Sequence, residues 1–343
     1  MNKRLIILSG LLVAQLLLVA AVNLTSEDYG LFQADEMLLS FETQGVDGLY
    51  IDDGTNSVQM KKLAGQWQLP MSGDFPANSG SVERLLNTLS MLKKGWPVAK
   101  TRSAARRFNV DEEHFERKLV LLSGDEAQAT LYVGSSPGFR KVYVKTGLGN
   151  EVFAVEFNTW TAGAKADDWI DKEVLALDAD DLERIEISGL TLQLQDGEWQ
   201  VSDLAVEEQT NGDVSRSLVA SLTGLRIQSL LGIDAKPEYR QDEPALELKV
   251  MRQSGDVLSY RFSKPEDASY YVLKRSDQEH YFQVAEYTVN PIKETTRETL
   301  VQARIQEALS DAVELHDETD EAGERPDEDR GSDVGRKPVE DVE

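Results

Sequence analysis

From about residue 46 onward, apolar and polar positions alternate in short runs separated by turn residues. "GLYIDD", "VQMKKL" and "GQWQLP" predict strands, joined by a tight turn at "DGTNS" and a glycine turn before Gln66. The period then lengthens. Val82, Leu85, Leu86, Leu89 and Leu92 fall on one helical face, with Lys93 and Lys94 expected in the last turn and Gly95 as the stop. After a basic connector, "RKLVLL", "ATLYVG", "KVYVK" and "VFAVEF" predict a second series of strands, and "DDWIDKEVL" reads as helical.

The same order then returns. "LERIEI" and "LTLQL" lead to "GEWQVS", and a helix carries Leu218, Val219, Leu222 and Leu225, with Asp213 as its expected N-cap. "LELKVM", "LSYRF", "YYVLK" and "HYFQVAEY" follow, and a last helix is expected to open with Asn290 as cap and Pro291 at its first position. Trp199 lies 132 positions after Trp67, Ser254 of the second "SGD" 131 after Ser123, and Phe282 129 after Phe153. Landmarks that keep their order with so little drift predict a tandem repeat of roughly 130 residues, too long a period for a solenoid. The expected fold class is α+β: two similar units, each a mostly antiparallel sheet with a packed helix, after an N-terminal transmembrane helix.

The N-terminus departs from both periods. Leu5 to Leu24 is almost unbroken in its apolar character, about 30 Å as a helix, and has no polar face. Lys3 and Arg4 would hold the short end in the cytoplasm and send the rest across, so the expected address is a single-pass inner-membrane protein with its bulk periplasmic. A cleaved signal, with Val19 and Ala21 before the cut, is the alternative. At the other end, residues 314–343 hold thirteen acidic side chains against four basic ones and read as a disordered acidic tail. The expected organisation is therefore an anchor at 1–24, a connector at 25–45, repeats at 46–177 and 178–312, and the tail at 313–343.

Composition narrows the function classes. A formal net charge of −25 argues against nucleic acid as a partner, because phosphate binding needs clustered cations. The absence of cysteine removes disulfides, thiolate metal sites, a cysteine nucleophile and a lipid-modified N-terminal cysteine. "GSSPG" around Ser136 imitates a nucleophile elbow, but the residue that should donate its N–H to the oxyanion is Pro137. "TGLGNE" lacks the third glycine of a phosphate loop, and His114, His280 and His316 have no ligand spacing. "DDGTN" and "DADD" suit turns and caps better than a calcium loop. The reading is a protein that is not an enzyme, with no cofactor and no metal.

One stretch reverses the sign of the chain. Between Glu83 and Asp111 there is no acidic residue, while Lys93, Lys94, Lys100, Arg102, Arg106 and Arg107 accumulate. These six are the candidate partner-binding residues, for a partner's acidic face or anionic headgroups near the anchor; a solvated connector is the plainer alternative. Trp67 and Trp199 could stack on a sugar or peptide, though equivalent aromatics in repeats more often fill a core.

The "GQWQL" strand, the succession "RKLVLLSGD", "ATLYVG", "KVYVK", "VFAV", and then "DDWIDKEVL" leading into "LERIEI" resemble a family described only as a domain of unknown function, number 4340. The resemblance covers roughly residues 46–301. It implies a bacterial envelope protein with one membrane anchor, and many members are encoded beside ABC-type export components, including a subunit similar to auxiliary proteins of gliding motility. The family has no established catalytic residues. The expected function is thus a non-catalytic, membrane-anchored extracytoplasmic accessory protein associated with an ABC-type transport complex, its partners the inner membrane and the permease or auxiliary subunits. The alternative is a periplasmic glycan- or peptide-binding module using Trp67 and Trp199.

Overall fold

A computed structural model describes residues 12–15 and 36–304. The expected anchor apart from residues 12–15, the connector up to residue 35 and the acidic tail lie outside the described residues. Among the described residues, no helix is long and apolar enough to cross a membrane.

The protein is α+β, with mostly antiparallel sheets and few helices. Strands β1 (Gly48–Asp52), β2 (Ser57–Leu63), β3 (Gln66–Leu69), β4 (Phe75–Pro76), β5 (Arg117–Ser123), β6 (Glu126–Val133), β7 (Lys141–Thr146) and β8 (Val152–Glu156) form one eight-stranded sheet in the order β4-β3-β2-β1-β5-β6-β7-β8. Strands β9 (Leu182–Ile187), β10 (Leu190–Gln195), β11 (Glu198–Val201), β13 (Ser229–Gly232), β14 (Leu246–Arg252), β15 (Val257–Ser263), β16 (Tyr270–Arg275) and β17 (Tyr281–Ala285) form another, in the order β11-β10-β9-β14-β15-β16-β17-β13. Apart from the end strands β4 and β13, the two connection orders are the same. A two-stranded ribbon pairs β12 (Glu208–Thr210) with β18 (Val301–Ala303).

The sequence landmarks occupy matching places. Trp67 and Trp199 are the second residues of β3 and β11, and Phe153 and Phe282 the second residues of β8 and β17. Helix α1 (Ser79–Ser90) presents Val82, Leu85, Leu86 and Leu89 to the core of the first sheet. From residue 36 to 304 the other α-helices are α2 (Arg102–Arg107), α3 (Gly212–Thr223), α4 (Glu286–Lys293) and α5 (Arg297–Leu300). Leu218, Val219 and Leu222 of α3 and Val289 and Ile292 of α4 are likewise buried, in the core of the second sheet.

The buried side chains of the two sheets belong to one connected apolar cluster. The segment between the sheets stitches them together. Ile227 donates its N–H to Lys172 O, Leu177 to Thr223 O, and the Asp167 carboxylate accepts from Ser229 Oγ at 2.7 Å.

Several local expectations need correction. Helix α1 ends at Ser90, so Lys93 and Lys94 lie beyond it; their segment instead pairs with the incoming chain, where Leu38 N–H donates to Leu92 O and Lys94 N–H to Glu36 O. "DDWIDKEVL" forms turns, because Asp168 folds back to accept from Lys165 N–H and fixes a 3-10 turn there. The N-cap of α3 is Asn211, whose side-chain Oδ1 accepts from the N–H groups of Asp213 and Val214. Pro291 lies inside α4, which already begins at Glu286; burial of Val289 and Ile292 overrides the lost hydrogen bond.

Candidate functional site

In both sheets one face packs on helices, and alternation along each strand sends the intervening side chains to the opposite face. On the first sheet that opposite face is covered. The segment from Trp96 to Glu116 runs along the edge strand β8, through a bridge between Ala99 and Val152, and then crosses the sheet. Ala105 and Val110 close a second small core there with Tyr132 and Val152.

On the second sheet the equivalent segment, around Tyr239 and Gln241, covers only one end. Gln241 Nε2 donates to Ser263 Oγ at 2.6 Å and Val272 O at 3.1 Å, and Tyr239 OH to Leu231 O at 2.6 Å. What remains is a groove of about 610 Å³ across the strands. Cross-strand register builds its floor in two rows. Thr191, Glu186, Lys249 and Ser259 are successive partners in one; Glu247, Arg261, Lys274 and Tyr281 are successive partners in the other.

The groove's charges are partly neutralised. Arg261 Nε donates to Glu247 Oε1 at 2.8 Å, and Arg184 sits 3.3 Å from Glu186. Lys274 donates to Glu279 O at 2.6 Å, with its ammonium 4.7 Å from the centre of the Tyr281 ring. Burial pushes the Lys274 pKa below the usual lysine value, against the pull of Glu279. No carboxylate lies within ion-pair distance of Lys249 among the described residues. Tyr281, backed by the buried Tyr239 at 5.2 Å, gives the groove an aromatic side. The Gln241 Oε1 atom is buried with no protein donor. In an acidic chain this is a surface with three cations, two engaged carboxylates and an aromatic side, suited to an extended ligand that carries negative charge.

The sequence-derived residues lie elsewhere. Lys94 pairs with Glu36 at 3.0 Å and Lys100 with Glu151 at 3.2 Å. Lys93 is exposed in the strip beside Met37. Arg102, Arg106 and Arg107 project from α2, whose Ala104 and Ala105 face inward; Arg107 stacks on Phe108 at 4.8 Å. The six follow one another along the chain from the end of α1 into α2, Lys93 and Lys94 lining a cavity of about 470 Å³ with Met91, Lys141 and Glu156, and they are distant in sequence from the groove. Trp67 and Trp199 are 1% and 9% exposed, so neither ring can stack on a ligand. Ser136 Oγ lies 2.7 Å from the carbonyls of both Gly138 and Lys141, inside the β6–β7 turn. Among the described residues no group of three or more potential ligands could hold a metal.

The groove was not singled out from the sequence. Its signal was present: Glu247, Lys249, Ser259 and Arg261 are the polar half of the alternation in β14 and β15. Nothing in the linear chain says that these side chains align across strands, or that they stay uncovered.

No curated protein and no solved structure matches the chain. A family model described as Domain of unknown function (DUF4340) matches residues 67–244, from β3 of the first sheet into the segment that roofs the groove of the second. That match covers more than half of the sequence, and the chain belongs to this family.

Proposed function

We propose that the protein is a non-catalytic, membrane-anchored extracytoplasmic accessory protein that works beside an ABC-type transport complex. In this reading the two sheets descend from a tandem duplication, with repeats at 46–177 and 178–312, and the apolar segment 5–24 is the anchor. The observation that carries the reading is the groove on the second sheet. It is broad, shallow and built from side chains of several strands, which suits holding a partner segment or cargo better than enclosing a reacting centre. The equal connection order of the sheets and the paired landmarks support the duplication. The burial of Trp67 and Trp199 removes the aromatic basis for a glycan- or peptide-binding module.

The test is an affinity capture of the full chain from mildly solubilised membranes, in parallel with the variant Lys249→Glu/Lys274→Glu. Both residues have exposed or partly exposed positions on the groove floor, so the fold is expected to tolerate the change. A permease and its ATPase should co-purify in stoichiometric amounts with the unaltered protein and fall away with the variant. Recovery of the protein alone from the membrane fraction would overturn the transport association. Equal recovery of partners with both forms would remove the groove as their docking surface.

A further inference from the structure

We infer that the strip from Met91 to Arg107 is a lipid-facing surface that rests on anionic phospholipid headgroups beside the anchor. This rests on the anchored reading given above and adds an orientation to it. Three independent observations converge on the strip.

The first is where the incoming chain arrives. Glu36 is hydrogen-bonded and ion-paired to Lys94, so the chain coming from the apolar segment joins the folded body at this strip. The eleven residues between Leu24 and Glu36 can span at most about 40 Å when fully extended, which keeps the strip close to a bilayer holding residues 5–24.

The second is charge. Lys93, Lys100, Arg102, Arg106 and Arg107 are all exposed; Lys100 pairs with Glu151, while no carboxylate lies within ion-pair distance of the three arginines among the described residues. The chain as a whole is acidic and would be repelled by an anionic surface; this strip is where that repulsion reverses.

The third is the apolar content. Met91, Trp96 and Val98 are 64%, 58% and 48% exposed, interleaved with those cations. A half-exposed indole among lysines and arginines is the side-chain mixture that sits at the headgroup level, with ring and aliphatic stems in the interface and charges at the phosphates. A protein partner with an acidic face would satisfy the charges but leaves unexplained why they lie where the chain arrives from the apolar segment.

The chain contains five tryptophans, of which Trp67, Trp169 and Trp199 are buried and Trp96 and Trp160 exposed. In the full-length Trp160→Phe variant, Trp96 is therefore the tryptophan open to an aqueous quencher. The experiment reconstitutes this variant into phosphatidylcholine vesicles with and without phosphatidylglycerol and measures acrylamide quenching; alkaline carbonate extraction reports separately whether the chain is anchored. Expected is a several-fold drop in Trp96 quenching and a blue shift with phosphatidylglycerol, reversed by high salt and by Arg102→Gln/Arg106→Gln/Arg107→Gln. Resistance to carbonate should be the same in both lipids. Equal quenching with and without phosphatidylglycerol in a carbonate-resistant protein overturns the headgroup surface and leaves the anchor standing. Carbonate release with retained lipid-dependent shielding overturns the anchor and leaves the surface standing. Shielding that appears only in native membranes assigns the strip to a protein partner and overturns the proposal.

Discussion

The Nε2 atom of His280 lies 3.0 Å from the backbone carbonyl of Ser72, a contact across 208 residues. His280 precedes β17 in the second sheet and Ser72 precedes β4 in the first, so one imidazole bridges both. The ring also meets the edge of Phe75, with centroids 5.1 Å apart. Its burial, at 8% exposure, follows from that position between the sheets. Replacing His280 with Ala should lower stability by about 1–2 kcal/mol, through a lost hydrogen bond and a lost aromatic edge. Denaturant unfolding should show the midpoint fall; an unchanged midpoint would mean that the sheets are held together without this bridge.

Arg275 is 2% exposed and reaches from β16 to the connecting segment, donating to Leu175 O at 2.8 Å. Asp277 answers its charge at 2.6 Å. Burial alone would raise the Asp277 pKa, but the hydrogen bond and charge of Arg275 outweigh it and hold the carboxyl below the usual range. A carboxyl depressed in the folded state contributes stability that is complete above its unfolded pKa, about 3.9, and is lost as pH falls through the folded value. Asp277→Asn should therefore cost about 2 kcal/mol at neutral pH. The gap to the unaltered protein should narrow on acidification below about pH 4, as read from unfolding midpoints across pH.

Gly134 supports the basic strip from below. A Cβ built there would collide with the backbone carbonyls of Phe108 and Asn109, where the chain leaving α2 is pressed against the sheet; Ser135 N–H donates to Phe108 O at 3.0 Å in the same contact. Gly134→Ala should cost about 1–3 kcal/mol. It should also speed proteolysis between Trp96 and Glu116 before it affects the rest of the chain.

Trp67 and Trp169 are equally buried but differ at one atom. Trp169 Nε1 donates to Gly163 O at 2.7 Å, while Trp67 Nε1 is buried with no protein acceptor. Trp169→Phe should thus cost more than Trp67→Phe by about 1 kcal/mol, because only the former abandons a buried carbonyl. Thermal or denaturant unfolding of the two variants decides this; the reverse order would mean that shape and not hydrogen bonding sets the cost.

The strands that carry the core were legible because alternation is a property of each strand alone. Leu49 and Ile51, or Leu248 and Val250, declare an inward face without reference to any neighbour. The two helices that pack on the sheets were legible for the same reason, through Val82, Leu85 and Leu89 and through Leu218 and Leu222. Their ends were not. Lys93 and Lys94 continue the helical pattern, yet Glu36 and Leu38 capture that stretch into an extended pairing from far along the chain. "DDWIDKEVL" failed as a helix because Asp168 satisfies Lys165 N–H locally, a competition that periodicity does not register.

By itself, then, the chain determined the α+β class, the succession of strands and helices, and the local sign reversal between Glu83 and Asp111. Each is written in neighbouring residues. Tertiary structure alone decided that the basic strip meets the incoming chain at Glu36, that Trp67 and Trp199 are core residues, and that Lys249, Arg261 and Lys274 share a groove. These depend on register and cover. A side chain on one strand acquires its cross-strand neighbour only when hydrogen-bonded pairing sets the alignment, and it stays exposed only where no other segment packs over it.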